Sequence, residues 1–283
     1  MSPSPDRLLL AGGYRNEVWK VRSGRGHVIE KRYAEDPGSP NPMFPNLPDH
    51  EALAMSHLHG TGCAPELVSY RPAGDHHGAQ VVYRYVAGPR WRRGTAEVAA
   101  LLHTVHHLPP PLPMRDLHQS AASALAHADL VVADTPSTPA RLRTAHARPV
   151  GVVDDPVRRR SLVHTDCGPG NLVRGRDGLV LIDWQCPGVG DAVEDIACFL
   201  SPAMMILYSV APHGLRARQT FLDTYADAEV VARYSRDGPA WHFRIAAYCV
   251  WRTARLARRQ PEVAARYRSA LDAELELLGS WSS

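Results

Sequence analysis

The stretch "LVHTDCGPGNLV", residues 162–173, sets His164, Asp166 and Asn171 in one short loop between apolar flanks. A fourth polar group, Asp183, follows at the end of "NLVRGRDGLVLIDW", residues 171–184. A packed core has no use for such residues, because a buried ionised carboxylate costs several kcal/mol unless it is paired. The spacing H-x-D-x-x-x-x-N, followed by a strand that ends in Asp, has a chemical reading. Transfer of a phosphoryl group to a hydroxyl needs a carboxylate that orients the hydroxyl and accepts its proton. It also needs oxygen ligands for Mg²⁺. Asp166 supplies the first. Asn171 and Asp183, brought side by side by a hairpin turning at Arg176-Asp177-Gly178, supply the second. His164 braces the loop by hydrogen bonding.

Working outward, "GDAVEDIACFLSP" (190–202) reads as a helix. Asp191 stands at its cap with Glu194 three residues on, and Val193, Ile196, Ala197 and Leu200 form its apolar stripe. Upstream, "LLLAGGYRNEVWKV" (8–21), "HVIEKRY" (27–33), "APELVSYRP" (64–72) and "AQVVYRYVAG" (79–88) read as strands. The Pro-rich run "DPGSPNPMFPNLP" (36–48) reads as loop. A helix follows, capped by Asp49 and ended by Gly60, with Glu51, Met55 and Leu58 on one face. That face is apolar, so Glu51 points inward and needs a cationic partner. Lys31, inside a strand, is that partner, and it is placed to reach the phosphates of a nucleotide. The turn in "AGGYRNEV" (11–18), with Gly12, Gly13 and Asn16, offers backbone amides to phosphate.

Beyond Gly88 the pattern turns helical. "TAEVAALLHTVHHL" (95–108) aligns Val98, Leu101, Leu102, Val105 and Leu108, and "PPPLP" stops it. Segment 110–160 reads as helix, loop and helix, and 203–279 as mostly helical. The chain is therefore expected to be α+β, with a β-rich part at 1–88 carrying one helix and a mainly helical part at 89–283.

The order glycine turn, strand Lys, helix Glu, H-x-D-x-x-x-x-N and strand Asp is the kinase order. On "HTDCGPGN" (164–171), "LVLIDWQCPGVGD" (179–191) and "EDIACFL" (194–200), the chain resembles the aminoglycoside phosphotransferase and choline kinase family. The resemblance implies a bilobal protein-kinase-like fold. In it, 1–88 is the nucleotide-binding lobe and 89–283 the catalytic and substrate-binding lobe. It implies ATP and Mg²⁺ as cofactors, Asp166 as catalytic base and Asn171 and Asp183 as metal ligands. Lys31 with Glu51 matches the nucleotide-positioning pair, and Asp195 a structural support of the catalytic loop. The chain departs from the family where Thr165 replaces the usual Gly after the loop His, and where "CGPGN" stands for the frequent "LHPGN".

The expected acceptor is a small-molecule hydroxyl, first an amino alcohol such as choline or ethanolamine. Trp241, Tyr248 and Trp251 recur at i, i+7 and i+10 on one helical face, and aromatic faces attract ammonium groups. The bland alternative for this stripe is core packing. The runner-up acceptor is an antibiotic or aminosugar, although "DTYADAE" (223–229) and "DAELEL" (272–277) are modest acidic stretches for a polycation. A catalytically inactive nucleotide-binding fold is argued against by the joint presence of Asp166, Asn171, Asp183 and Lys31.

Composition excludes other classes. A net charge of +3, with only the short basic runs at 90–94 and 158–160, does not suit a nucleic-acid binder. The five cysteines are odd in number and form no C-x-x-C pair, which suits neither a disulfide framework nor a zinc site, and fits a reducing cytoplasm. The start "MSPSPDRLLLAGG" lacks a signal-peptide pattern, and no apolar run reaches the roughly 18 residues of a membrane span. No sequence feature sets an oligomeric state or a preference for ATP over GTP.

Overall fold

The computed structural model describes residues 6–10, 16–24, 26–34, 41–74, 77–133, 135, 139–140, 142 and 155–281. Gly12, Gly13, part of the Pro-rich run and most of 134–154 lie outside the described residues. The elements begin with β1 (Arg7–Leu10), β2 (Asn16–Ser23), β3 (Gly26–Tyr33), α1 (Pro48–His57), β4 (Leu67–Arg71) and β5 (Gln80–Arg84). Next come α2 (Thr95–His107), α3 (Ala121–Ala133), β6 (Ser161–Val163), β7 (Leu172–Arg174), β8 (Leu179–Leu181) and β9 (Gly188–Gly190). The helices α4 (Val193–Leu200), α5 (Pro202–Leu207), α6 (Leu215–Thr224), α7 (Ala228–Leu256) and α8 (Pro261–Trp281) complete the chain.

Two compact units result. The first gathers residues 1–91, 111–115 and 171–188, and the second gathers 92–110, 116–170 and 189–283. The first is built on an antiparallel sheet of order β1-β2-β3-β5-β4. Its central strand, β3, alternates so that Ile29, Lys31 and Tyr33 share one buried face. Ile29 lies opposite Tyr83 of β5, and Lys31 opposite Val81. α1 packs against β4 and β5 and buries Glu51, Ala52, Ala54 and Met55.

The helix start differs from the expected Asp49 cap. Leu47 holds the cap position without a side-chain bond, and Pro48 opens the helix. A proline there needs no hydrogen-bond partner for its nitrogen and has its φ already set. Asp49 instead lies in the first turn, where its charge suits the helix dipole. In the loop before it, the Asn41 side-chain oxygen accepts from the Met43 and Phe44 amides at 3.0 Å each. β7 and β8 form the expected hairpin, with Leu172 opposite Leu181.

The second unit is helical around a short sheet of β6 and β9. All eight residues of α4 are buried. α7 packs against α3, α4 and α8, α5 against α8, and α2 against α6. Phe199 stacks on Phe221 at 5.3 Å between ring centroids. The expected capping box on α4 is not formed. Ala192 takes the cap position, Asp191 accepts from the Val193 amide at 3.0 Å, and Arg233 holds the other Asp191 oxygen at 2.7 Å. Glu194 is drawn away by Arg244, which donates to it at 2.6 Å. A buried guanidinium outcompetes a backbone amide as partner for a carboxylate.

α7 runs 29 residues with Pro239 inside. Proline has no amide hydrogen, so it leaves the carbonyl four residues back, on Ser235, without its helical donor. The Trp281 indole N–H from α8 donates to that oxygen at 3.1 Å. Gly238 makes the approach possible, because a Cβ there would sit 2.6 Å from the Trp281 ring. Among the described residues no helix is long and apolar enough to cross a membrane.

Candidate active site

Lys31 is the residue that a sheet interior least tolerates alone. Its side chain is 2% exposed and its ammonium meets Glu51 Oε1 at 3.1 Å. It also meets Asp183 Oδ1. Glu51 is fully buried at the inner face of α1 and accepts from the Tyr33 hydroxyl. Asp183 is the open member, with 36% of its side chain exposed. Burial pulls the Lys31 ammonium down, but the Asp183 and Glu51 carboxylates more than offset it, so its pKa lies well above the usual lysine range. Burial pushes the Glu51 carboxyl up, against the pull of Lys31, and the like charge of Asp183 adds to the rise. The pairing expected from the inward Glu51 is thus present, with Tyr33 and Asp183 as further members.

Asp183 adopts the left-handed φ of +64°, which aspartate tolerates better than most residues. The Ile182 amide donates to the Asn171 carbonyl at 2.8 Å, so the β7–β8 hairpin holds Asn171 beside the strand end that carries Asp183. Asn171 is buried. Among the described residues no three His, Cys, Asp or Glu side chains gather to hold a metal. Asn171 and Asp183 instead offer one amide and one carboxylate oxygen donor.

Asn16 uses its side-chain amide to tie the first unit together. Its Nδ2 donates to Asn46 at 3.3 Å and to Gln185 at 3.1 Å. The Leu47 amide donates to the Gln185 carbonyl at 2.8 Å, so the segment after Asp183 is fixed to the entry of α1.

In the second unit the loop bearing Asp166 hangs on a buried carboxylate. Asp195 of α4 accepts from the His164 amide through Oδ2 and from the Thr165 amide through Oδ1, each at 2.8 Å. Thr165 has φ +70°, costly for a β-branched residue, and this clamp holds it there. The Asp166 amide in turn donates to His164 Nδ1 at 3.2 Å, which is the bracing expected of that histidine. Asp166 itself is half-buried.

Burial raises the Asp195 carboxyl, but His106 and the His164 amide more than offset it and hold it below the usual carboxylate range. His106 Nε2 is 3.1 Å from Asp195 Oδ2, and its Nδ1 is 2.8 Å from the Tyr225 hydroxyl. After Asp166 the loop is roofed by Tyr208, which leaves no room for a side chain at Gly170: a Cβ would stand 2.0 Å from the ring.

The three aromatics expected on one face divide into two groups. Trp241 is buried with its ring 6.2 Å from that of His118. Tyr248 and Trp251 are buried and stacked at 5.7 Å, and Tyr267 meets Tyr248 edge-on at 6.2 Å. The cations over Trp251 are the chain's own Arg255, at 5.1 Å, and Arg252, at 6.0 Å, and Arg252 also lies 5.4 Å from the Tyr267 ring.

Sequence reasoning missed Tyr33, His106, Tyr225 and Tyr208. Tyr33 was signalled by its place two residues after Lys31 on the same strand face. His106 was signalled by its i+4 spacing from Leu102 within the apolar stripe of α2. Tyr225 and Tyr208 carry no local signal, because their partners come from distant segments.

A buried strand lysine paired with a helix glutamate and a strand-end aspartate in the first unit, and a clamped H-x-D loop in the second, are each features of the protein-kinase-like class. The pattern of the APH phosphotransferase enzyme family matches residues 6–241, and the chain belongs to that family. No curated protein matches the chain by sequence. Solved structures share the fold. A choline/ethanolamine kinase family protein from Mesorhizobium loti is 16% identical, with TM-score 0.64, covering 97% of this chain and 87% of its own. A choline kinase from Streptococcus pneumoniae is 15% identical, with TM-score 0.59, covering 95% and 93%. A spectinomycin phosphotransferase, solved with ADP and spectinomycin, is 10% identical, with TM-score 0.62, covering 95% and 92%. The chain is thus a small-molecule phosphotransferase, and its kinase-like family implies the use of ATP.

Proposed function

We infer that the protein moves the γ-phosphoryl group of Mg·ATP to the hydroxyl of a small amino alcohol, with Asp166 as the base. The observation that carries the nucleotide half is the buried Lys31 ammonium, held by Glu51 from behind and by the half-open Asp183 in front. A lysine confined in this way presents a fixed positive charge to a phosphate, and no reorganisation is needed when it binds. Residues 1–88 are proposed as the nucleotide-binding part and 89–283 as the catalytic and acceptor-binding part, with Gly12, Gly13 and Asn16 at the phosphate turn.

Asn171 and Asp183 fit Mg²⁺. Both give hard oxygen donors, and two protein ligands suit an ion that keeps waters and phosphate oxygens for its remaining positions. When bound, Mg²⁺ supplies neutralising charge to the phosphates. Asp166 orients the acceptor hydroxyl and takes its proton as the oxygen attacks phosphorus. Its strained, clamped loop keeps the carboxylate in place for this.

The acceptor class is supported by where four buried carboxylates of the second unit go. Glu274 is held by His242 and Ser201, Glu194 by Arg244, Asp191 by Arg233, and Asp237 by Arg236. Carboxylates bound in this way do not gather around a polycationic antibiotic, whereas one ammonium asks for no such cluster. Arg255 already lies over Trp251, so the ammonium of the acceptor is not assigned to that ring.

The test is Mg²⁺-dependent ADP release from ATP with a panel of choline, ethanolamine, aminosugars and aminoglycosides. Release that depends on an amino alcohol is expected. Release only with an aminosugar or antibiotic overturns the acceptor class. Nucleotide binding with silence across the panel and with Mg²⁺ alone makes the chain an inactive nucleotide-binding fold.

A further inference from the structure

We propose that His106, oriented by Tyr225, is a positioning residue: it fixes the Asp195 carboxylate that clamps the backbone of His164 and Thr165 and so aims Asp166. The proposal rests on the reading of Asp166 as the base. His106 and Asp195 are both fully buried, so no water can take the place of either partner.

The geometry defines a chain of donors. Asp195 Oδ2 has two contacts, the His164 amide at 2.8 Å and His106 Nε2 at 3.1 Å, while Oδ1 takes the Thr165 amide. A carboxylate accepts and does not donate, so the proton between it and His106 belongs to Nε2. On the other side of the ring, Nδ1 meets the Tyr225 hydroxyl at 2.8 Å. Burial, then the neighbouring Asp227 and Asp195 carboxylates, push the Tyr225 phenol far above its usual range, so it stays a donor. Phe221 stacks on Tyr225 at 6.2 Å between centroids, and His103 meets it edge-on at 5.5 Å. These rings fix where the hydroxyl points.

The consequence falls on Thr165. Its left-handed backbone persists only while its surroundings over-determine it. Removing the Nε2 donor leaves Oδ2 under-satisfied in a dry pocket, which frees the carboxylate to rotate and weakens its hold on the two amides. The loop then relaxes and Asp166 loses its aim. The orientation of a base is worth far more to turnover than to ground-state binding of ATP. A histidine that only filled the core would show no such division.

The experiment compares His106→Leu, His106→Gln, Tyr225→Phe and Asp166→Asn, measuring Mg·ATP turnover, the KM for ATP and amide hydrogen exchange at His164 and Thr165. His106→Leu is expected to lower kcat by about tenfold or more with the KM for ATP within about twofold. It also removes the protection of both amides. His106→Gln, whose side-chain amide donates at the Nε2 position, is expected to stay within about threefold of wild type. Wild-type kcat in His106→Leu, equal losses in the Gln and Leu variants, or unchanged amide protection would each overturn the proposal. Should His106→Leu fail to fold, Tyr225→Phe decides: lower kcat at unchanged KM supports the proposal, and unchanged kcat overturns it. An active Asp166→Asn removes both the base and the clamp. An inactive Asp166→Asn beside an active His106→Leu removes the clamp alone.

Discussion

At the scale of single residues, the Lys31 group is where energetics and function separate most cleanly. Breaking a buried ion pair costs about 3–5 kcal/mol, because a charge is left behind. Lys31→Met should therefore lower stability in chemical denaturation by about 3 kcal/mol, somewhat relieved by protonation of Glu51. Adding Glu51→Gln should restore much of that stability while turnover stays lost. A stable double variant with wild-type turnover would make the pair a structural feature only. Gly170 gives a second test. A methyl group there collides with the Tyr208 ring, so Gly170→Ala must shift the loop that joins Asp166 to Asn171. The expected outcome is turnover lowered by about tenfold, with a Tyr208→Ala/Gly170→Ala pair recovering part of it. Equal losses in the single and double variants would separate the ring from the loop.

At the scale of elements, the proline in α7 is tolerated because α8 supplies the donor that the helix lacks. Trp281→Phe keeps the ring and removes the N–H. It should cost about 1 kcal/mol in denaturant unfolding, the value of one partly exposed hydrogen bond. An unchanged midpoint would mean that solvent satisfies the Ser235 carbonyl equally well. Several elements were legible in advance, and the reason is local. The β7–β8 hairpin is written in its Arg-Asp-Gly turn, and the inward direction of Glu51 in its spacing from Met55 and Leu58. The caps were misread because each depends on a competitor absent from local sequence. Pro48 starts α1 one residue ahead of Asp49. Arg233 and Arg244, some forty to fifty residues downstream, take the carboxylates that local pattern assigned to the α4 cap. The same limit hid His106 and its partner Tyr225, whereas Glu51 on the apolar face of α1 was visible.

At the scale of the whole molecule, buried polar groups make stability depend on pH. His213 packs on Phe199 at 4.9 Å between rings. Burial lowers its pKa to about 4. The unfolded chain, with an ordinary histidine, takes the proton first as pH falls below about 6.5. The contribution of His213 is therefore complete above that pH and is lost on the way down to about 4. Between pH 6.5 and 5 it should remove about 1.5 kcal/mol of stability. His213→Asn should flatten that part of the profile, and an unchanged slope would assign the acid sensitivity to other groups. The family and the fold are legible at this scale because the chemistry-bearing residues follow one another in kinase order. The acceptor is not, since Trp241 separates from Tyr248 and Trp251 and the chain's own arginines lie over the rings.

In the proposed mechanism Asp166 serves the chemical step and not the binding of nucleotide. The most direct measurement pairs calorimetric ATP binding with Mg²⁺-dependent turnover for wild type and Asp166→Asn. The expected result is an ATP Kd within about twofold of wild type and turnover lowered by at least about a hundredfold, a barrier increase of about 2.7 kcal/mol. A variant that keeps more than about a tenth of wild-type turnover, a barrier change below about 1.4 kcal/mol, would contradict it.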